Sequence, residues 1–148
     1  MLSRAALLTV LALSSCRQND DPAGAEDLLE QVEQQSYRSW ARAPGYEDRR
    51  ASSAPHGNQV EIFVNEAVAG ALAGEPGLAE WPVGSIVVKD GYTDDGDLDL
   101  IAIMEKRESG WYWAEYDGEG AVLYSGEPEV CTDCHGSGSD FVRAFTLP

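Results

Sequence analysis

Apolar positions fall into two patterns along the chain. Leu28, Leu29, Val32, Tyr37 and Trp40 recur at spacings near three to five within an acidic, Gln-rich background, which predicts an amphipathic helix over about residues 26–42. Ala43-Pro44-Gly45 stops it. Val60, Ile62 and Val64 then alternate with Glu61 and Phe63 as a strand does, and the Ala-rich stretch 66–73 predicts a short helix before Pro76-Gly77 breaks the chain. Four β-branched or aromatic runs of strand length follow at 85–89, 98–105, 111–116 and 121–124. The links at 108–110 and 117–120 have the length of hairpin connections. No internal repeat is present. The pattern predicts an α+β domain, mainly one antiparallel sheet of about four or five strands with helices on its N-terminal side.

The first residues have a different character. Arg4 is followed by an apolar run at 5–13 and then by Ser14-Ser15-Cys16, the layout of a secretory signal ending in a bacterial lipoprotein cleavage box. On this reading residues 1–15 are the signal, Cys16 becomes the lipidated first residue, 16–25 form a flexible polar tether and 26–148 the domain. An ordinary cleaved signal with an incidental Cys is the alternative. The lipoprotein reading puts the mature chain on a bacterial membrane, facing the periplasm and held through its lipid alone. No apolar stretch reaches the roughly 18–20 residues that a membrane-spanning helix needs.

A chain of 148 residues suits one core. Ten basic residues against 26 acidic ones give a net charge of −16, and removal of Arg4 with the signal takes it to −17. This excludes the basic face that nucleic acid requires and favours a cationic partner, such as a soluble cytochrome exchanging electrons. The acidic run at 90–99 lacks calcium-loop spacing, since Gly91 and Thr93 stand where oxygen ligands should be, and reads as a solvated loop.

Apart from Cys16 the chain has only Cys131 and Cys134, and His135 follows at once. Cys131-Thr132-Asp133-Cys134-His135 is the attachment motif of a c-type haem. Two thiols three positions apart reach the two vinyl groups on one edge of a porphyrin, and the adjoining imidazole supplies the proximal iron ligand. Three other readings use the same cysteines. A disulfide gives no reason for His135; zinc held by Cys131, Cys134 and His56 sits awkwardly with adjacent Cys134 and His135; a thioredoxin-like dithiol wants a βαβ unit that is not visible.

Only 13 residues follow His135, so whatever covers the far side of a haem must come from upstream. The one Met after the signal, Met104, precedes the motif, unlike the axial Met of small helical electron carriers. The strand-rich stretch 60–124 is equally unlike a four-helix cytochrome. The blocks His56-Gly57, Val60 to Asn65, Gly84 to Lys89, Met104 to Arg107 with Trp111 to Trp113, the haem motif, and Asp140-Phe141-Val142 resemble, in that order, the cytochrome P-460 and cytochrome c′-beta family. The resemblance implies a β-rich fold, often homodimeric, with one covalent haem c on five-coordinate iron. It further implies oxidation of hydroxylamine or nitric oxide, or, on the c′-beta side, binding of nitric oxide or electron transfer without turnover.

The resemblance also gives roles to single residues. Lys89, one of two lysines, matches the lysine bonded to the porphyrin rim in cytochrome P-460; by itself it reads as a strand-end lysine whose stem lies on apolar surface. Glu127 and Glu129 stand near the position of that family's distal carboxylate, the general base that takes protons from nitrogen. Phe63 is expected to touch the haem, and Trp111 and Trp113 to wall the pocket or fill the core. His56 is a sixth-ligand candidate that reads more simply as a turn or surface hydrogen bond.

Overall fold

The computed structural model describes residues 20–53 and 55–148, in which seven strands form one antiparallel sheet accompanied by three α-helices. The signal segment and Cys16 lie outside the described residues. In chain order the elements are α1 (Pro22–Gln34), a 3₁₀ turn (Tyr37–Ser39), β1 (Ala41–Arg42), β2 (Arg50–Ala51), β3 (Gln59–Val64) and α2 (Glu66–Leu72). Then come β4 (Ile86–Tyr92), β5 (Leu98–Arg107), β6 (Gly110–Asp117), β7 (Val122–Gly126) and α3 (Glu129–His135). Along the sheet the order is β1-β3-β4-β5-β6-β7, with β2 also paired to β3. No described helix is long and apolar enough to cross a membrane.

Two expectations about the N-terminal part are corrected. The tether expected to run to residue 25 already ends before Pro22, because Asp21 caps α1 by accepting from the Gly24 amide at 3.1 Å and Ala25 is fully buried. The helix expected over 26–42 stops at Gln34: Ser36 turns left-handed at φ 53°, and residues 41–42 pair with β3 instead. Strand pairing there takes the place of helical hydrogen bonds, while the 3₁₀ turn seats Tyr37 in the core.

Period-two alternation divides the sheet's side chains between two faces. Phe63, Val88, Ile101, Ile103, Tyr112, Ala114 and Tyr116 point towards α1 and pack on Ala25, Leu28 and Val32. Ile62, Val64, Val87, Met104, Trp111 and Trp113 point the other way, towards Val68, Trp81, Val142 and Phe145. Phe63, expected at the haem, is therefore on the α1 face: its ring meets Tyr37 edge-on at 5.6 Å and lies under the Arg42 guanidinium. Its neighbours Ile62 and Val64 take the opposite face.

The expected loop 90–99 begins inside this core. Asp90 ends up wholly buried on β4, accepting from the Tyr37 hydroxyl at 2.7 Å and Arg38 Nε at 2.8 Å. Burial, followed by the bond to Asp90, pushes the Tyr37 hydroxyl well above the ordinary tyrosine range. Tyr112 donates to the Asp21 carbonyl at 3.0 Å, and burial beside that residue raises its hydroxyl to about 12. On the α1 face Asp90, Tyr37 and Tyr112 are thus paired across elements.

Candidate cofactor site

The other face holds a cavity of about 380 Å³ between the sheet, the 55–57 loop, α3 and the C-terminal segment. Val60, Ile62, Val87, Met104, Trp113 and Val142 make apolar walls. Cys131, Cys134 and His135 line it together, as one short helix requires: the thiols lie one turn apart and the imidazole follows. Both cysteines are free, Cys131 partly buried and Cys134 exposed. Burial pushes the Cys131 thiol up to about 11, whereas the Cys134 sulfur accepts from Arg143 at 3.1 Å.

His135 is held from behind by an unusual turn. Asp140 and Phe141 both adopt left-handed backbone, at φ 45° and 65°, closed by Ser139 N–H donating to the Val142 carbonyl at 2.9 Å. Two non-glycine residues in that region cost roughly 1–2 kcal/mol each, so the surroundings must hold them. Asp140 is clamped by Lys106 Nζ at 2.9 Å and by the Trp81 amide at 2.8 Å. Burial works against charge on Lys106, yet its bonds to Asp140 and Glu80 keep it above the usual lysine range. The turn presents the Phe141 carbonyl to His135 Nδ1 at 2.9 Å. With Nδ1 donating to that oxygen, Nε2 keeps its lone pair, the arrangement of a metal-ligating imidazole. Burial lowers the His135 pKa, further favouring the neutral ring. Trp113 packs edge-on against it at 4.7 Å.

From the sheet, one row of partners crosses the cavity floor: Ile62 pairs with Lys89, Lys89 with Ala102, Ala102 with Glu115, and Glu115 with Tyr124. Lys89 and Glu115 are thus two strands apart, on the order of 10 Å, with only the small Ala102 between them. His56 spans the gap. Its Nδ1 lies 3.3 Å from Lys89 Nζ and its Nε2 3.3 Å from Glu115 Oε2. The loop carrying it is seated by two glycines. Gly57 has φ +103°, and a Cβ on it would come within 2.8 Å of Gly91 Cα; a Cβ on Gly91 would collide with the His56 carbonyl. Asn58 N–H then donates to the Tyr92 carbonyl at 2.9 Å. Burial, with Arg143 adding to it, lowers the Lys89 pKa and favours the neutral amine.

Of the residues singled out from the sequence, Lys89, Cys131, Cys134 and His135 meet in this cavity, and Trp113 walls it. Trp111 stays in the core beside it. Glu127 and Glu129 do not reach it: both are exposed, flanking the buried Pro128. Glu129 occupies the first turn of α3, where a carboxylate facing water suits the helix's positive end. The carboxylate that does line the cavity is Glu115. Its signal was its place two residues beyond Trp113 on one strand face. His56, a sixth-ligand candidate in the sequence that read more simply as a turn or surface residue, lines the cavity too; loop packing across Gly91 leaves no periodic trace.

The other readings of the cysteines find little here. No three described His, Cys, Asp or Glu side chains gather as a metal-holding group, and the antiparallel sheet contains no βαβ unit for a dithiol motif to open. Two thiols and a backed imidazole on one rim of a cavity with largely apolar walls fit a c-type haem: sulfur anchors at its edge and a nitrogen ligand for iron. No family model and no curated protein matches the chain.

Proposed function

We propose that the protein is a mono-haem c-type cytochrome of the cytochrome P-460 kind, exported and tethered through Cys16, which oxidises hydroxylamine or nitric oxide. The observation that carries this reading is the meeting of Cys131, Cys134 and His135 on one apolar cavity, with Lys89 on its floor. In it, Cys131 and Cys134 would hold the porphyrin and His135 the iron, with the imidazole oriented by the Phe141 carbonyl. The haem would supply an iron centre that coordinates a small nitrogen-oxide molecule and accepts its electrons. The chain's own part is to supply apolar walls with Trp113, Met104 and Val142, to aim the imidazole, and to disfavour charge on the Lys89 amine beside the ring.

A second reading, gas binding without turnover, is favoured by the outward position of Glu127 and Glu129, which removes the carboxylates first considered as bases. The ferrous absorption spectrum of the mature haem-loaded protein separates the two. A band strongly red-shifted from an ordinary c-type Soret, lost in Lys89→Arg together with hydroxylamine oxidation, supports the oxidase. Arg is a long basic side chain but no nucleophile at neutral pH. An ordinary c-type spectrum with nitric oxide binding and no hydroxylamine turnover contradicts it.

A further inference from the structure

We propose that the β7 edge of the sheet rests on the headgroup layer of the bilayer that holds the lipid of Cys16, so that α3 and its cavity are carried at the membrane surface. The proposal rests on the lipoprotein part of the reading above and adds an orientation to it.

The start of the folded domain is pinned to that edge. Asp20 N–H donates to the Ser125 carbonyl at 3.3 Å, and Asp21 N–H to the Ser125 hydroxyl at 2.8 Å. Tyr112 holds the Asp21 carbonyl from β6. Gly126, at φ +89°, makes room for the approach, since a Cβ there would stand 3.3 Å from the Asp20 Cβ. β7 is the last strand of the sheet, with β1 at the other end. The helix that carries Cys131, Cys134 and His135 begins at Glu129, just beyond Gly126.

Only residues 17–19 separate Cys16 from Asp20. The chain between them reaches about 14 Å at most, and a lipidated residue sits in a headgroup layer about 5–8 Å deep. A domain of this length is roughly 35 Å across, so the link is too short to bring its far side round to the membrane. The tether expected from the sequence, running to residue 25, would have spanned about 30 Å and left the domain free to turn. The edge also has a surface for the contact. Leu123, the extra residue where the β6–β7 register shifts, is 42 % exposed, and Val130 on the first turn of α3 is 55 % exposed. Asp20, Glu127 and Glu129 are exposed around them, which suits the ammonium groups of zwitterionic lipid rather than an anionic surface. A plain helix start explains the bonds of Asp20 and Asp21, but the length of the link restricts the orientation whatever else those bonds do.

The test measures how fast a bulky maleimide reacts with one introduced cysteine in the lipidated, haem-loaded protein on vesicles of phosphatidylcholine and phosphatidylethanolamine. Cys131 and Cys134 are then thioethers and Cys16 carries lipid, so only the new thiol reacts. Leu123→Cys reports the β7 edge, and Ala51→Cys, exposed on β2, reports the opposite one. Each is compared with the same variant made with Cys16→Ser behind an ordinary cleaved signal, which stays in solution. Reactivity follows the fraction of time a thiol is accessible, so Leu123→Cys is expected to react about tenfold slower on vesicles, and Ala51→Cys within about twofold of its rate in solution. Equal slowing at both positions, slowing of Ala51→Cys alone, or no slowing at either in protein that pellets with the vesicles overturns the orientation. If Leu123→Cys does not accumulate, Glu127→Cys, exposed at the same edge, takes its place. The same ratio is expected with Cys131→Ala and Cys134→Ala, so the result stands apart from the haem reading. Exported protein that does not pellet with vesicles defeats the lipoprotein reading, and this one with it.

Discussion

The two faces of the sheet are built from the same strands, one residue out of step, and they differ in what their polar groups do. On the α1 face Asp90, Tyr37, Tyr92 and Glu61 bond to one another and to arginines, so each buried group is satisfied within the fold. On the cavity face Lys89, His56 and Glu115 are also paired in a row and His135 is bonded to the Phe141 carbonyl, but these groups line space that no side chain fills. Asp90 and Lys89 are neighbours on β4 and fall on opposite sides of this division. A buried polar group that completes a network belongs to stability, whereas one aimed into an apolar cavity is available for chemistry.

Substitutions should separate the faces. The largest effect is expected from Cys131→Ala combined with Cys134→Ala, which should abolish covalent haem while far-UV circular dichroism shows the sheet retained. Next, Asp90→Ala removes the shared acceptor of Tyr37 and Arg38 and should cost about 3 kcal/mol in urea unfolding. The haem spectrum should not change, since neither Asp90 nor its partners Tyr37 and Arg38 line the cavity. Asp140→Ala releases the left-handed turn and should cost about 1–2 kcal/mol. Unlike Asp90→Ala, it should also perturb the iron's ligand field, because the turn fixes His135.

Acid and alkali should act on the faces in opposite senses, with the smallest effects of the set. Burial opposes charge on Glu61, but bonds from Tyr92 and Arg42 leave its folded pKa below the usual value. Its contribution is complete above the unfolded value of about 4.3 and is lost as pH falls through the depressed folded value. Lys89, with a lowered folded pKa, carries a penalty on folding that is complete below that folded value, where both states bind the proton. That penalty disappears as pH rises towards the unfolded value of about 10.4. Urea midpoints of Glu61→Gln and Lys89→Met, followed against pH beside the parent protein, would measure both. The gap for Glu61→Gln should narrow in acid, and that for Lys89→Met should narrow as pH rises from the lowered folded value towards about 10.4.

Much of this division was legible in the sequence. Alternation in β3 to β7 located the sheet, and Cys131, Cys134 and His135 announced the site without any structure. What escaped was set by tertiary contact. The helix at 26–42 was broken because β3 recruited residues 41–42, a pairing without local signal. Phe63 was placed at the haem by resemblance although its own parity with Glu61 put it opposite Ile62. Glu127 and Glu129 were chosen by nearness to the motif along the chain, whereas Glu115 arrives from a strand two positions away across the sheet. His56 needed the Gly57–Gly91 approach, which only the folded chain displays.

The most direct test of the central claim is intact-mass measurement of the mature protein, expressed with haem c maturation and then extracted with acid acetone. The account predicts one haem remaining bound to each chain, lost when both cysteines are replaced. A mass equal to that of the bare polypeptide, with the haem in the solvent or none present, would contradict it.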